Sequence, residues 1–318
     1  MRKQTVLSVS KKGALSNITD NHSVKTYKRA CRKFVNWLET AKNIKYFEDI
    51  PEDKRVEYVQ AYERFMENEC LSAHTIHTYL APICKTMGFS MAEINKPLRT
   101  AGRIKRSRDV TANAQGKREA EDERFKRLVD AQRALGLRRN ELGKLTGRDL
   151  IKTSKNGLYV RVGRGKGGKF QLQKILPQHE DRIREIWKGI GPNDKVFTKG
   201  EMKNKIDLHS MRADLAKEAY KYYAEKIEKD PVFRITLIED LSDRYFEYCN
   251  HCKTIEDMEK WRKQMLENDR PYVLRGENRQ NAIDHGQPTE LDRLAMTAVS
   301  VFHLSHWRLD VTSVNYLS

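Results

Sequence analysis

The chain has 318 residues, with 61 Lys and Arg against 44 Asp and Glu, so its net charge is +17 at neutral pH. This length suggests two domains of ordinary size, and so large a positive excess favours a polyanionic partner. No apolar run is long enough to span a bilayer and the N-terminus has no signal-peptide core, which excludes a membrane protein and predicts a soluble cytoplasmic one.

The cysteines predict neither a disulfide framework nor a metal centre. They are Cys31, Cys70, Cys84, Cys249 and Cys252. Their odd number and wide spacing argue against disulfide pairing. The string Cys249-Asn-His251-Cys252 has the spacing of half a zinc site, but the only residue that could add to it is His285. We therefore predict ordinary reduced cysteines and no metal.

The N-terminal part of the chain is predicted to be helical. Residues 1–21 are polar and lack periodicity, which indicates a flexible arm. From 22 to 95, apolar residues recur at spacings of three and four in three stretches, of which the first has Ser23 as a candidate N-cap and the third begins at Ser72. A further short helix is expected near Met91. These patterns predict a compact helical unit over residues 22–95.

A basic stretch that is poor in apolar residues follows over residues 96–118. Its only acidic residue is Asp109. Its basic residues are Lys96, Arg99, Arg103, Lys105, Arg106, Arg108, Lys117 and Arg118. Such charge runs often stay solvated, but in a chain this basic a linker also suits a phosphate backbone. Only the strings further along the chain, described below, favour the second interpretation, in which Lys96, Arg99, Arg103, Lys105, Arg106 and Arg108 would contact a nucleic-acid backbone.

Residues 119–318 predict a second unit that is mainly α-helical with a small β-hairpin or sheet. An amphipathic helix is expected over 119–135 and another over 138–145, after Gly136. Alternating apolar residues predict strands over 158–162 and 170–177, and the glycine-rich stretch between them predicts a hairpin turn. The remainder is predicted to be helical, except for extended pieces near Tyr272.

Two strings in this unit place arginines where they could bind a phosphate. Arg138 follows a glycine turn at a predicted helix start, where a guanidinium can donate to two phosphate oxygens. His209 and Arg212 are three residues apart and share one face of a helix, which suits a phosphate clamp with an adjacent proton carrier. Taken singly, each string is as typical of a solvated surface.

Three further residues bear on proton transfer and nucleophilic attack. Lys166, in the hairpin turn, could donate a proton to a leaving oxygen, with Lys169 as a competing candidate. Near the end of the chain, His306 precedes Tyr316 by ten residues. A tyrosine can attack a phosphate if its proton is removed and the developing charge is neutralised.

In this order, the strings resemble the tyrosine recombinase (phage integrase) family. Its members present an arginine in a Gly-x-Arg-x-x-Glu-Leu setting, a hairpin lysine, a His-x-x-Arg string, a histidine in a Leu-Gly-His-like setting and then a tyrosine. The matching positions are Arg138, Lys166, His209, Arg212, His306 and Tyr316. Members also carry a helical core-binding domain, a linker and a mixed α/β catalytic domain, which form a C-shaped clamp on DNA. Residues 22–95 and 119–318 fit those two domains.

The resemblance implies a site-specific DNA recombinase of the integrase type that needs no metal and no other cofactor. Arg138 and Arg212 would bind the non-bridging oxygens of the scissile phosphate and stabilise the pentavalent transition state. Tyr316 would attack and form a 3′-phosphotyrosyl bond. A 5′-hydroxyl of another strand would then reverse the step, which would move a mobile genetic element without ATP.

The same resemblance gives the remaining roles and the partners. Lys166 would protonate the departing 5′-hydroxyl, His209 would act as acid and base near Tyr316, and His306 would hydrogen-bond the phosphate. The implied partners are double-stranded DNA target sites, further protomers in a tetramer on DNA, and an accessory DNA-bending or directionality protein. The expected location is the nucleoid of a bacterial cytoplasm.

The chain departs from the family pattern in several places. Ser305 stands where many members have glycine, a change we expect to cost little. The interval from Arg212 to His306 is 94 residues, several-fold longer than usual, so an insertion is predicted at about 226–292. The insertion would either touch DNA or a neighbouring protomer, or be a surface decoration. The chain ends two residues after Tyr316, so we expect neighbouring segments and DNA to set the position of Tyr316 in the active site.

Several other functions were weighed against these features. A resolvase or an invertase has the same active site, and a type IB topoisomerase uses a similar constellation but acts as a monomer. A catalytically idle DNA-binding regulator would use the helical unit and linker equally well, although every catalytic position is filled. A metal nuclease needs clustered carboxylates, and none lies near these strings.

Overall fold

The computed structural model describes residues 21–44, 49–99, 114–153, 157–163, 165, 170–248, 252–268 and 270–317. The chain divides into two compact units, Met1–Ile104 and Lys105–Ser318. Their boundary falls inside the basic stretch 96–118. The prediction of a mainly helical chain with a small antiparallel sheet is confirmed.

Within its described residues, the first unit contains three α-helices, of which α1 spans Asn21–Lys42, α2 spans Arg55–Asn68 and α3 spans Ala73–Met87. The third run was predicted to begin at Ser72, and Ser72 is the N-cap of α3, because its hydroxyl accepts from the Thr75 amide at 3.2 Å. The predicted cap at Ser23 is wrong, because α1 already begins at Asn21. Apolar faces of all three helices meet in one buried core, which accounts for the three- and four-residue spacing.

The second unit contains most of the helices. They are α4 Ala114–Glu121, α5 Lys126–Leu135, α6 Arg139–Leu142, α7 Glu180–Trp187, α8 Lys199–Met202, α9 Leu208–Lys229, α10 Pro231–Tyr248, α11 Ile255–Glu267, α12 Gly276–Asp284, α13 Arg293–Ala298 and α14 Leu309–Thr312. The continuous helix predicted over 119–135 is wrong. Asp122 instead caps a new 3₁₀ turn by accepting from the Arg124 amide, which divides the stretch into α4 and α5.

The predicted hairpin is confirmed as part of a three-stranded antiparallel sheet. Its strands are β1 Leu150–Thr153, β2 Gly157–Val162 and β3 Gln171–Lys174, in the order β1-β2-β3. Val162 pairs with Gln171 and Tyr159 with Lys174, so β2 and β3 flank the glycine-rich turn. Two short strands, β4 Tyr272–Val273 and β5 Glu290–Leu291, form a second sheet where extended pieces were expected.

The second unit has two buried cores, and the insertion contributes to one of them. The first core lies among α5, α7 and the three-stranded sheet. The second combines α9 and α13 with Leu237, Ile238 and Leu241 of the insertion, and it also contains Tyr316. Because α10 shares a core with the tyrosine, the interpretation of the insertion as a surface decoration is wrong for this helix.

Candidate active site

Arg212 lies at the centre of the candidate site. The Asp207 carboxylate accepts from the amides of His209 and Ser210 at 3.1 Å each, which starts α9 and brings Arg212 inward one turn later. The Arg212 side chain is 1% exposed. It donates to the Gly136 carbonyl and, at 2.8 Å, to the Leu304 carbonyl. Its guanidinium therefore joins the segment before Arg138 to the segment before His306.

Gly136 lies close against helix α9, which carries Arg212. It ends α5 with a φ of +56°, in the left-handed region that favours glycine. A Cβ at this position would lie 2.8 Å from Leu215 Cδ2 and 3.6 Å from Arg212 Cα. The residue is thus constrained by its backbone angle and by the Leu215 side chain of α9, which is buried.

Arg138 follows this turn and is held by a buried carboxylate. Its amide donates to Glu141 Oε2 at 2.9 Å and its Nη1 donates to Glu141 Oε1 at 2.7 Å. Burial raises the pKa of Glu141, but the hydrogen bonds and charge of Arg138, together with the charge of Arg212, outweigh burial and lower it. Glu141 therefore stays ionised and orients Arg138, whose side chain remains 29% exposed.

Tyr316 packs against Arg212 and lies between two histidines. The Arg212 guanidinium carbon is 5.8 Å from the centre of the Tyr316 ring. The ring centres of His209 and His306 are 5.8 Å and 6.3 Å from that of Tyr316. Burial lowers the pKa of Arg212, and its charge interaction with Tyr316 opposes that effect. Arg138, His209, Arg212, His306 and Tyr316 thus come together in one site.

His306 has a ring nitrogen available for a ligand. Its Nδ1 lies 3.1 Å from Ser300 Oγ, whereas Nε2 is buried and has no hydrogen-bond partner among the described residues. Burial, and then the charges of Arg212 and Arg138, lower the pKa of His306 to about 4. The imidazole is therefore neutral at physiological pH. A buried polar atom without a partner is costly unless something binds it.

Two π-helical turns flank these residues. One covers Val299–His303, just before His306, and the other covers Ser313–Leu317 and carries Tyr316. Such turns are uncommon in proteins, and those that occur are often found at functional sites. Between them, Ser305 has a φ of +54°. A residue with a Cβ is disfavoured there by about 1–2 kcal/mol, and the hydrogen bond from the Ser305 hydroxyl to Gln173 opposes this cost, so the expectation that serine costs little stays a prediction.

Three aromatic rings connect the insertion to residues 304–308, which include His306 and which we call the histidine segment. Tyr245 of α10 stacks on Trp261 of α11 with ring centres 5.0 Å apart. Both rings meet Trp307 edge-on, at 5.4 Å from Tyr245 and 6.0 Å from Trp261. Trp307 directly follows His306 in the chain. We refer to Tyr245, Trp261 and Trp307 as the aromatic cluster.

The basic candidates are only partly covered by the described residues. Lys166, Lys169, Arg103, Lys105, Arg106 and Arg108 lie outside them. Lys96 is half-buried, and its ammonium donates to the Met91 carbonyl at 2.7 Å and to the Ile94 carbonyl at 3.0 Å. Two of its three N–H donors are therefore used within the first unit. Arg99 is exposed.

Sequence reasoning missed several buried polar residues of this site. Glu141 had a readable signal, because a glutamate three residues after a helix start is typical of a capping box. Gln173 and His303 gave no such signal. His303 is buried, and its Nε2 lies 3.1 Å from the Tyr223 hydroxyl. Burial, followed by the charges of Lys174 and Arg212, lowers the pKa of His303 to about 3.

Neither a metal cluster nor a membrane span is found in the part of the chain that the structure describes. No group of three or more His, Cys, Asp or Glu residues there could hold a metal ion. Cys249 and His251 lie outside this part, while Cys252 is buried and its thiol lies 3.6 Å from the Thr254 carbonyl. None of the described helices combines the length and apolarity needed to cross a bilayer.

Comparison with known proteins gives matches among solved structures alone. No family model matches the chain, and no curated protein does. XerA recombinase is 13% identical, with 69% of this chain and 84% of that chain covered and a TM-score of 0.24. The Tn1549 transposon integrase in complex with transposon right end DNA is 12% identical, with 99% and 95% covered and a TM-score of 0.40. The same integrase in complex with circular intermediate DNA is 14% identical, with 89% and 99% covered and a TM-score of 0.39.

Proposed function

We propose that the protein is a site-specific DNA recombinase of the tyrosine recombinase type, which cleaves and rejoins DNA through a 3′-phosphotyrosyl intermediate. The observation that carries the proposal is the buried Arg212, whose guanidinium lies 5.8 Å from the Tyr316 ring centre. A buried cation is costly unless an anion compensates it. Glu141 forms an ion pair with Arg138 and also interacts with the charge of Arg212, so one carboxylate faces two guanidinium groups and a phosphate suits the site.

Arg138 and Arg212 are the proposed phosphate clamp. Two guanidinium groups supply charge and directional donors to the non-bridging oxygens, where negative charge increases in the pentavalent transition state. Glu141 and the carbonyls of Gly136 and Leu304 hold these cations in place before DNA arrives. Preorganised donors in a site with little water need no rearrangement during the reaction, and this makes them effective.

Tyr316 is the proposed nucleophile. Its phenolic oxygen forms a bond to phosphorus as the bond from phosphorus to the 5′-oxygen breaks, so the phosphate becomes a 3′-phosphotyrosyl ester. His209, whose ring centre is 5.8 Å from that of Tyr316, accepts the phenol proton. Attack by a 5′-hydroxyl of another strand reverses each of these steps. The ester retains the energy of the original bond, so joining needs no nucleotide cofactor.

His306 is proposed to act as a neutral hydrogen-bond donor to the phosphate. With its pKa lowered to about 4, the ring carries no charge at physiological pH, and its unpartnered Nε2 can donate to a phosphate oxygen when it bears the proton. A bound phosphate brings negative charge close to the ring and therefore raises this pKa. DNA binding should accordingly be accompanied by proton uptake below neutral pH.

The hairpin lysine is proposed to protonate the leaving 5′-oxygen, with Lys166 as the first candidate and Lys169 as the alternative. A DNA substrate with sulfur in place of the bridging 5′-oxygen distinguishes them, because a thiolate leaves without protonation. Lys166→Ala should cleave ordinary DNA slowly and the sulfur-containing DNA at the wild-type rate. If Lys169→Ala alone shows this rescue, the role belongs to Lys169.

DNA target sites and further protomers are the proposed partners. The net charge of +17 favours the phosphate backbone, and the basic stretch 96–118 is proposed to follow it. Full strand exchange is proposed to take place in a tetramer that holds two duplexes. We further propose that the natural substrates are the ends of a mobile genetic element and its target, brought together with an accessory DNA-bending or directionality protein.

Capture of covalent adducts from a pool of random DNA sequences tests the proposed function. The protein is incubated in EDTA with a library of randomised duplexes, each nicked near its centre so that the short 5′-hydroxyl strand diffuses away after cleavage. We expect a covalent complex that survives denaturant and enriches one sequence. Tyr316→Phe should form none, whereas Tyr222→Phe, a tyrosine of α9 outside the site, should react normally. Adducts with Tyr316→Phe would refute the proposal.

A further inference from the structure

A buried glutamine links the two segments that carry Arg138 and His306. Gln173 lies on β3 and is 0% exposed. Its Nε2 donates to the Leu135 carbonyl at 2.7 Å and to the His303 carbonyl at 2.5 Å. Its Oε1 lies 3.3 Å from Ser305 Oγ, which donates to it. Both N–H groups of the carboxamide therefore donate to main-chain carbonyls of other segments, and its oxygen accepts from a side chain.

The carbonyls that Gln173 binds lie at helix ends. Leu135 is the last residue of α5 and His303 is the last residue of a π-helical turn. The final carbonyls of a helix accept no hydrogen bond from within the helix, so their donors must come from elsewhere. A glutamine supplies two donors and one acceptor at the end of a flexible stem, a combination that no apolar residue of similar volume can replace.

Arg212 makes a second bridge beside the first. Gln173 joins residues 135 and 303, and Arg212 joins the next residues along both segments, Gly136 and Leu304. Arg138 follows Gly136 by two positions and His306 follows Leu304 by two. The two bridges fix the separation of the main chains from which Arg138 and His306 extend toward one point.

We infer that Gln173 is a positioning residue for strand cleavage, which sets the distance between Arg138 and His306 while touching neither. The inference rests on the proposed function, since it concerns groups that would bind the scissile phosphate. Arg212 alone cannot fix this separation, because one bridge leaves the two segments able to rotate about it. A displacement of about an ångström at a catalytic group is enough to slow a reaction roughly 100-fold.

The test compares Gln173→Met with Gln171→Met. Methionine keeps the volume and removes the donors. Gln171 is on the same strand and the same face, is 8% exposed, and its Nε2 has no hydrogen-bond partner among the described residues, so it is a matched control. At saturating DNA, Gln173→Met should lower the rate of adduct formation roughly 10- to 100-fold. Its Kd for DNA should stay within about twofold, as should both quantities for Gln171→Met.

A double-mutant cycle separates positioning from general loss of stability. If Gln173 acts by placing His306, the rate loss from Gln173→Met should largely disappear in a His306→Ala background. Full additivity would overturn the inference, and so would an unchanged rate or an equal loss of DNA affinity. All rates are measured below the melting transition of each variant, checked by circular dichroism.

Two further outcomes keep the inference separate from the proposed function. If Gln173→Met does not fold, Gln173→Asn keeps the carboxamide but shortens its stem by one methylene, so it cannot span the Leu135 and His303 carbonyls in the same way, and a rate within error of wild type would then overturn the inference. If the wild-type protein forms no adduct, the proposed function fails. Wild-type activity with an unaffected Gln173→Met variant refutes the positioning role and leaves the proposed function standing.

Discussion

Replacing Gly136 with alanine tests whether the approach of α9 to the Arg138 segment is as close as the structure has it. Gly136 and Gly88 both end a helix in the left-handed region, with φ of +56° and +85°. A Cβ on Gly136 would lie 2.8 Å from Leu215 Cδ2, whereas a Cβ on Gly88 would meet nothing within 4 Å. The two substitutions therefore share the backbone strain and differ in the steric overlap.

The backbone strain and the steric overlap each lower the free energy of unfolding by a different amount. An alanine in the left-handed region is disfavoured by about 1–2 kcal/mol, and the lost freedom of the unfolded chain returns about 0.4–1 kcal/mol. Gly88→Ala should thus lower the free energy of unfolding by about 1 kcal/mol. Overpacking adds about 1–3 kcal/mol at Gly136, because the Leu215 side chain must move and is itself buried in the core. Gly136→Ala should therefore lower it by about 2–4 kcal/mol.

Urea denaturation followed by tryptophan fluorescence measures both effects. Trp37 reports on the first unit, which contains Gly88, and Trp187, Trp261 and Trp307 report on the second, which contains Gly136. At saturating DNA, Gly136→Ala should also slow adduct formation, since the bridge from Arg212 starts at its carbonyl. Equal destabilisation by the two variants, with normal cleavage by Gly136→Ala, would refute the reasoning.

Three other predictions concern the histidine segment. Because the pKa of His306 is lowered from 6.5 to about 4, its contribution to stability is complete above pH 6.5 and is lost as the pH falls towards 4. Between about pH 8 and about pH 5 this loss is about 2 kcal/mol, and His306→Gln should show a correspondingly smaller decline in urea denaturation. Trp261→Ala removes two ring contacts of the aromatic cluster, so it should destabilise the second unit by about 1–3 kcal/mol and slow adduct formation while DNA binding is retained. Ser305→Gly relieves the left-handed strain but loses a hydrogen bond of about 1 kcal/mol, so thermal unfolding should show a change of less than about 1 kcal/mol.

Each of these predictions has a result that contradicts it. An identical pH dependence for wild type and His306→Gln would mean that the imidazole is solvated. Lost DNA binding in Trp261→Ala would assign the insertion a role in DNA affinity in place of support for the histidine segment. Strong destabilisation by Ser305→Gly would mean that the hydrogen bond to Gln173 outweighs the backbone strain.

The sequence predicted those parts of the molecule in which one local signal dominates. The helices of the first unit follow from their apolar periodicity, and the β2-β3 hairpin follows from alternation around a glycine-rich turn. The strand β1 was missed, because Leu150–Thr153 is only four residues long and follows a 3₁₀ turn without alternation. The break at Asp122 was missed as well, since apolar periodicity continues across it.

In the candidate site, too, local sequence signals predicted some residues, while contacts between distant positions were missed. Arg138, His209, Arg212, His306 and Tyr316 were found as strings, and the structure brings them together. The bridge through Gln173 joins positions 135, 173, 303 and 305, and so long a range leaves no pattern in a single sequence. The strain at Ser305 depends on a backbone angle that only the folded chain fixes. Domain limits, the lysine role and the site assignments remain predictions.

The position of the covalent bond tests the central claim most directly. A captured adduct is digested with protease and nuclease, and mass spectrometry identifies the peptide and the nucleotide end that are joined. The proposed chemistry predicts a 3′-phosphate on the peptide that contains Tyr316. Attachment to another residue, or through a 5′-phosphate, would contradict it.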